Sequence, residues 1–208
     1  MCGITGLFDS TSNVGVISVM SDLIKHRGPD QYGEYFSADG SLALAHQRLS
    51  ILDLTETGKQ PMVSNDGCLV IVFNGEIYNY NELRGLLLSE ISFDFKGTSD
   101  TEVLLECINN WGVERTLPLL NGMFSFAIFD LSAHKVIIVR DRFGIKPLHV
   151  FTNQDGIYFS SEIKSIKPLL TEPLDVNKAV LPEWAYYGSA LGENTFYKGI
   201  NKLLPGHF

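Results

Sequence analysis

No run of 18 or more apolar residues occurs in this 208-residue chain, so nothing in it reads as a membrane-spanning helix. The N-terminus lacks a basic stretch followed by an apolar one; no secretory signal is read there, and a cytoplasmic protein is expected. Positive charge is scarce: 16 Lys and Arg against 24 Asp and Glu leave a net charge of −8. No Lys/Arg block offsets that balance locally, which discourages nonspecific nucleic-acid binding. Low-complexity segments and internal repeats are missing as well. With 45% hydrophobic and 19% charged residues, the chain can bury a core.

Cysteine is also sparse. Cys2, Cys68 and Cys107 form no CxxC pair, and an odd number at wide spacing suits neither a disulfide framework nor a zinc site, so no metal is expected. Cys68 opens the strand-like "CLVIVF". Cys107 lies in the helical "TEVLLECINNWG", on the side of Val103, Leu104 and Trp111. Both are expected to be small buried hydrophobes. Cys2 is left without such an explanation.

What is present reads as strands with helices in two groups. "CGITGLF" is a short apolar strand, and Val16, Ile17, Met20, Leu23 and Ile24 recur at helical spacing until Gly28 and Pro29 in "HRGPD". Two strands meet about the Asp39-Gly40 turn, and "NDG" at 65–67 turns the chain into the continuous apolar run Cys68–Phe73, expected to be a central strand. "NYNELRGLLL" reads as a helix with an asparagine to cap it. Ser99 and Glu102 have the spacing of a capping box for a helix running to Trp111. "MFSFAIFD", "KVIIVRD", "PLHVF" and "GIYFSS" then follow as strands. This order predicts packed sheets with helices outside, not a regular parallel βαβ alternation. From Leu174 onward the chain reads as an amphipathic tail leading elsewhere.

Three features could carry chemistry. Were Met1 removed, Cys2 would hold a thiol and a free α-amine, whose ordinary pKa of about 7.7–8.0 lets it act as the thiol's own base near neutrality. None of the five histidines sits in a catalytic motif, and none is then needed. The second feature is "NGEIYNYNELR". Asn74 and Gly75 follow the apolar strand and could supply two donors to an oxyanion, although Asn-Gly is also the commonest hairpin signal. The third is Arg48 with Glu76 and Asp100. A free amino acid needs a cation for its carboxylate and acceptors for its ammonium. Asp100 would equally suit the first turn of a helix on macrodipole grounds, and Arg48 a structural ion pair.

Together, "MCGITGLFD", "HRGPD", "HQRLSILDL", "QPM", "FNGEIYNYNELR", "GTSDTEVLLE", "LNGMFSFAIFD", "RDRFGIKPLHV", "FSSEIKSI" and "LLPGH" resemble the glutaminase half of glutamine-hydrolysing asparagine synthetases. These are class II glutamine amidotransferases with the N-terminal-nucleophile hydrolase fold. The resemblance implies an α+β, four-layer αββα sandwich. It implies Cys2 as nucleophile on L-glutamine, with the Asn74 side chain and the Gly75 N–H as oxyanion hole. Arg48, with backbone near Ile51 and Leu52, would take the substrate carboxylate, and Glu76 and Asp100 its ammonium. A glutaminase domain over 2–170, needing no cofactor, would be followed by an extension, 171–208. That extension would lead toward an ATP- and Mg-dependent synthetase domain whose Ser-Gly-Gly-x-Asp-Ser loop this sequence lacks. Ammonia would pass to that domain or to a partner subunit, no nucleic acid or membrane is expected as partner, and a homodimer stays open. His149 stands where the family usually has tyrosine, and Gln47 where it often has a basic residue. Two alternatives remain: the glutaminase half of another class II amidotransferase, or a noncatalytic glutamine-binding or interaction module if Met1 is retained.

Overall fold

The computed structural model describes residues 1–9, 14–170 and 173–208. Strand β1 (Gly3–Asp9) leads to α1 (Ile17–Asp22), which gives way to a 3-10 turn at Lys25–Arg27 ahead of Gly28 and Pro29. The helix is thus shorter than its apolar spacing predicts, and Leu23 and Ile24 lie beyond it. Strands β2 (Gln31–Phe36) and β3 (Leu42–Arg48) form the expected hairpin, with Gly40 at φ 72° in its turn. Strands β4 (Met62–Val63) and β5 (Leu69–Ile77) precede the helices α2 (Tyr80–Glu90), α3 (Asp100–Trp111) and α4 (Val113–Thr116). Next come β6 (Gly122–Asp130), β7 (Lys135–Arg140), β8 (His149–Thr152) and β9 (Gly156–Ser160). The chain closes with α5 (Ile163–Ile166), α6 (Leu181–Tyr187) and β10 (Ile200–Lys202).

The strands make two antiparallel sheets, ordered β10-β8-β9-β1-β3-β2 and β4-β5-β6-β7. Side chains alternate between faces along each strand, so each sheet sorts its residues into two sets. Ile4, Leu42, Leu44 and Phe159 of the six-stranded sheet meet Val70, Val72, Ala127 and Phe129 of the four-stranded one. On the outer face of the first sheet, Leu7, Ala43 and Ala45 pack against Ile17 and Met20 of α1. On the outer face of the second, Ile71, Phe73 and Phe126 pack against Leu83 and Leu87 of α2 and Leu104 and Cys107 of α3. This is the expected four-layer αββα sandwich. Burying each large apolar side chain contributes about 1.5–3 kcal/mol. Because helices cover one face of β5 and strands the other, its sequence is a continuous apolar run rather than an alternating one.

Several local expectations change in detail. Ser99 Oγ accepts the Glu102 amide at 3.2 Å, but the Glu102 carboxylate does not return to the cap. It takes the amides of Lys96 and Gly97 instead, at 2.7 and 2.9 Å, fixing the turn that enters α3. Asn79 is the N-cap of α2 without a side-chain cap bond; it donates to the Leu119 carbonyl and accepts from the Asn121 amide, both at 3.0 Å. Asn74-Gly75 is no turn, since β5 runs on to Ile77. Cys107 is buried as expected, while Cys68, ahead of β5, is only half-buried. The segment from Leu174 returns to the sandwich: Val176 bridges Tyr197, and β10 pairs with β8. The boundary expected between 170 and 171 adjoins residues 171 and 172, which lie outside those described.

Candidate active site

At one end of the sandwich the inner-face positions change from apolar to polar while keeping their two-residue phase. Just ahead of β1, Ile4 gives way to Cys2; on β3, Leu42 and Leu44 give way to His46 and Arg48; on β5, Val70 and Val72 give way to Asn74 and Glu76; and on β6, Ala127 gives way to Ser125. A cavity of about 150 Å³ opens there, large enough for one small molecule and too small for a polymer. Every residue proposed from the sequence lines it: Cys2, Arg48, Ile51, Leu52, Asn74, Gly75, Glu76 and Asp100. The sequence reading missed Gln60, Met123 and Lys146, which also line it.

The Cys2 thiol is held against the loop after β3. Its Sγ donates to the Leu49 carbonyl at 3.6 Å, and the Leu49 amide donates back to Sγ at 3.4 Å. Burial pushes the thiol's pKa up, while the Leu49 amide and the positive charges of the N-terminus, Arg48 and Lys146 pull it down. Arg27 Nε donates to the Cys2 carbonyl at 2.9 Å, and its Nη1 pairs with Glu162 at 2.9 Å. Burial works against ionisation of Glu162, but bonds from Arg27, Lys164 and His26 outweigh it and hold the carboxyl at about 2. Met1 stands at the cavity rim, 57% exposed.

Across the cleft, Asn74 is 1% exposed, and neither its Oδ1 nor its Nδ2 has a partner among the described residues. Leaving a buried amide unpaired costs roughly 1–3 kcal/mol, so such groups are rare in a settled interior. The ladder explains what stands beside it. Phe124 spends its amide and carbonyl on Asp141, away from β5, so the odd-numbered amides of β5 face the opposite edge. There Gln60 Oε1 takes the Phe73 amide at 2.6 Å and Asp100 Oδ2 takes the Ile77 amide at 2.9 Å. The Gly75 N–H lies between them without an acceptor among the described residues. Only glycine fits at this point, because a Cβ would run into the Met123 carbonyl and the Phe124 backbone.

Arg48 behaves differently from either simple expectation. Its Nη1 donates to Gln31 Oε1 at 3.0 Å and the Thr55 carbonyl at 3.2 Å, and its Nη2 to the carbonyls of Leu52, at 3.1 Å, and Asp53. The fork is spent on shaping the loop that carries Ile51 and Leu52, and the cation remains in the cavity wall without a carboxylate partner among the described residues. Asp53 anchors the far end of that loop. Burial opposes its charge, but bonds from Thr55, Thr98 and Thr57 keep its carboxyl at about 2. Asp100 is buried at the start of α3. Burial raises its pKa, the amides of Ile77 and Thr101 oppose that, and the charge of Glu76 adds to the rise. Two acids thus face one side of the cavity. The other departures from the resemblance lie off this wall: Gln47 is buried on the outer face of β3 and donates to Ser21 Oγ at 3.0 Å, and His149 heads β8 with a buried Nδ1 that has no hydrogen-bond partner among the described residues. Among the described residues no group of three or more His, Cys, Asp or Glu stands together as a metal site, and no helix is long and apolar enough to cross a membrane.

The arrangement brings a thiol, two unspent N–H donors, a cation and two acids around one small space, which is what acyl transfer from a zwitterionic amide requires. Comparison with known proteins agrees. The chain is 36% identical over 219 residues to asparagine synthetase (glutamine-hydrolysing) 2 of Bacillus subtilis strain 168, covering 100% of this chain and 28% of that protein. It is 37% identical over 212 residues to asparagine synthetase (glutamine-hydrolysing) 1 of the same organism, covering 99% and 33%. The chain therefore spans a third or less of the length of these curated relatives. Among solved structures, the glutamine phosphoribosylpyrophosphate amidotransferase of B. subtilis, complexed with ADP and GMP, superposes with a TM-score of 0.65. It is 20% identical, over 80% of this chain and 43% of that one, and so supports the fold. The family model described as "glutamine amidotransferase domain" matches residues 1–208, and the chain belongs to that family.

Proposed function

We propose that this chain hydrolyses the side-chain amide of L-glutamine to L-glutamate and ammonia, with Cys2 as nucleophile. The observation that carries the reading is the buried Asn74 amide, which with the neighbouring Gly75 N–H has no partner among the described residues, in the cavity that holds the Cys2 thiol. With Met1 removed, the Cys2 α-amine takes the thiol proton, directly or through one water, as sulfur attacks the amide carbon. Negative charge develops on the amide oxygen, where the Asn74 Nδ2 and the Gly75 N–H supply donors already in place. The protonated α-amine returns its proton to the leaving nitrogen, the C–N bond breaks, and ammonia departs. Water, deprotonated by the same amine, then attacks the γ-glutamyl thioester and releases glutamate with the thiol restored.

The rest of the cavity selects the substrate. Glu76 and Asp100 accept from the α-ammonium. The charge of Arg48 and the backbone near Ile51 and Leu52 take the α-carboxylate. For the whole protein we read an asparagine-synthetase-like amidotransferase, in which a synthetase domain or a partner subunit uses ATP and Mg to activate aspartate or another carboxylate for the ammonia. The relatives' printed activities support this assignment of the acceptor chemistry. Removal of Met1 is part of the reading, and its exposure at the cavity rim leaves it accessible to an aminopeptidase.

The test joins two measurements. Intact mass of the purified chain should show loss of Met1, and glutamate release should follow that loss. Cys2→Ala should remove glutamate release while the melting temperature stays within a degree or two. Turnover by Cys2→Ala, or full turnover by a chain that keeps Met1, would overturn the nucleophile assignment. Glutamine binding without turnover in a chain from which Met1 has been removed would instead favour a noncatalytic glutamine-binding module.

A further inference from the structure

The loop between β7 and β8 puts a cation into the cavity that none of these roles employs. Lys146 is 5% exposed and lines the cavity with Cys2. Its ammonium makes no hydrogen bond or ion pair among the described residues. The residue is packed in while its ammonium opens onto the cavity, so a cation with no partner there favours negative charge brought into that space. Its backbone is fixed with unusual thoroughness. The buried Asp141 carboxylate accepts from the amides of Phe124, Phe143, Ile145 and Lys146. Arg140 Nε donates to the Lys146 carbonyl at 2.8 Å, and Ser125 Oγ donates to the Pro147 carbonyl at 3.3 Å. Ser125 is the cross-strand partner of Asn74, so the loop is bolted to the wall that carries the orphaned amide.

The strand order says which flank Lys146 occupies. Arg48 ends β3, on one side of β1, whereas Lys146 leads into β8, which lies beyond β9 on the other side. The substrate carboxylate therefore belongs to Arg48's flank, and the charge that Lys146 faces is that of the sulfur. The other charges around Cys2 are accounted for. Arg27, from the 3-10 turn, is paired with Glu162 of the segment after β9. Arg48 shares its fork among carbonyls. Glu76 and Asp100, across the cleft, oppose a negative sulfur, and the chain's α-amine is the base itself.

We propose that Lys146 is the counter-cation of the Cys2 thiolate, a positioning residue that stabilises negative sulfur before attack and again when the thioester is hydrolysed. The same positive charge disfavours protonation of the neighbouring α-amine and keeps it available as base. This inference rests on the reading of Cys2 as nucleophile. It also accounts for the direction in which Lys146 pulls the thiol against its burial.

The test is the pH dependence of iodoacetamide alkylation at Cys2 in the full chain with Met1 removed, mapped to the N-terminal peptide by mass spectrometry. Lys146→Met should move the alkylation midpoint up by about one pH unit and slow alkylation at pH 7 roughly tenfold, since only thiolate reacts. Lys146→Arg should restore most of both. The melting temperature of Lys146→Met should stay within a degree or two, because the ammonium makes no hydrogen bond or ion pair among the described residues; should that variant not fold, Lys146→Gln gives the same comparison. An unchanged midpoint in the folded neutral variant would overturn the proposal, as would a shifted midpoint that arginine fails to restore. A wild-type Cys2 that resists the reagent while glutamine hydrolysis persists would sink the nucleophile reading, and this inference with it.

Discussion

His46 Nε2 lies 3.0 Å from the carbonyl oxygen of Phe73, one residue before Asn74, so a single buried bond ties the two sheets beside the proposed oxyanion donors. Burial holds the His46 pKa down at about 4 despite the Phe73 bond, and the nearby Arg48 lowers it further. The ring is therefore neutral near pH 7, with Nε2 carrying the proton that Phe73 accepts. This bond lies where the apolar inner core ends and the polar cavity begins.

That depressed pKa has a consequence for stability. The unfolded histidine titrates near 6.5 and the folded one near 4, so the unfolded state binds more protons between those values. His46's contribution is complete above pH 6.5 and is lost as pH falls toward 4, amounting to about 3 kcal/mol over the interval. Chemical denaturation at pH 7, 5.5 and 4.5 should show this decline. His46→Gln, which keeps a donor without the titration, should flatten it; equal slopes in both proteins would assign the decline elsewhere.

Asn74→Ala should lower kcat about 10²–10³-fold with a much smaller change in KM, because its amide acts on charge that exists only in the transition state. The same change removes an unpaired buried amide. Its melting temperature should hold or rise, a trade of stability for function read by steady-state kinetics and calorimetry together. A large loss of stability would mean the amide has a structural partner.

Gly75→Ala should fail in the opposite manner. A methyl group there meets the Met123 carbonyl and the Phe124 backbone, so β5 and β6 must separate locally. Overpacking of this kind costs typically 1–3 kcal/mol, and it displaces the N–H as well. Both the denaturation midpoint and kcat should drop.

Glu76→Gln should raise KM for glutamine by roughly ten- to a hundredfold, the loss expected for one hydrogen bond to a charged group, with little effect on folding. Asp100→Asn keeps an acceptor for the Ile77 amide and should act likewise, whereas Asp100→Ala also frees that amide and should destabilise the protein. Kinetics and melting curves on the three variants separate substrate binding from support of β5.

Much of the fold was legible because its causes are local. The capping serine before α3, the turns at Gly40 and Gly67, and the apolar run of β5 each follow from residue chemistry within a few positions. The site was legible in a second way that spacing alone leaves ambiguous: Asn74-Gly75 has the composition of a hairpin turn, yet pairing with Ser125 and Phe124 keeps it in strand. A signal was present in the phase, since Cys2, Arg48, Asn74 and Glu76 continue the inner-face series of their strands. Lys146 carried no such signal. It comes from an irregular loop, where no periodicity says which way a side chain points. Arg48 was found, but its bonds to the loop carbonyls depend on how residues 49–58 fold back.

The sequence by itself determined the strands, the helices and the chemical types gathered near the chain's start, because hydrophobic period and turn residues act over short distances. Only the tertiary structure decided that Cys2 and Asn74 would line one cavity, that the Gly75 amide would be left over by its ladder, and that Lys146 would join them there. Those outcomes depend on two sheets meeting in one register, which brings together residues separated by most of the chain.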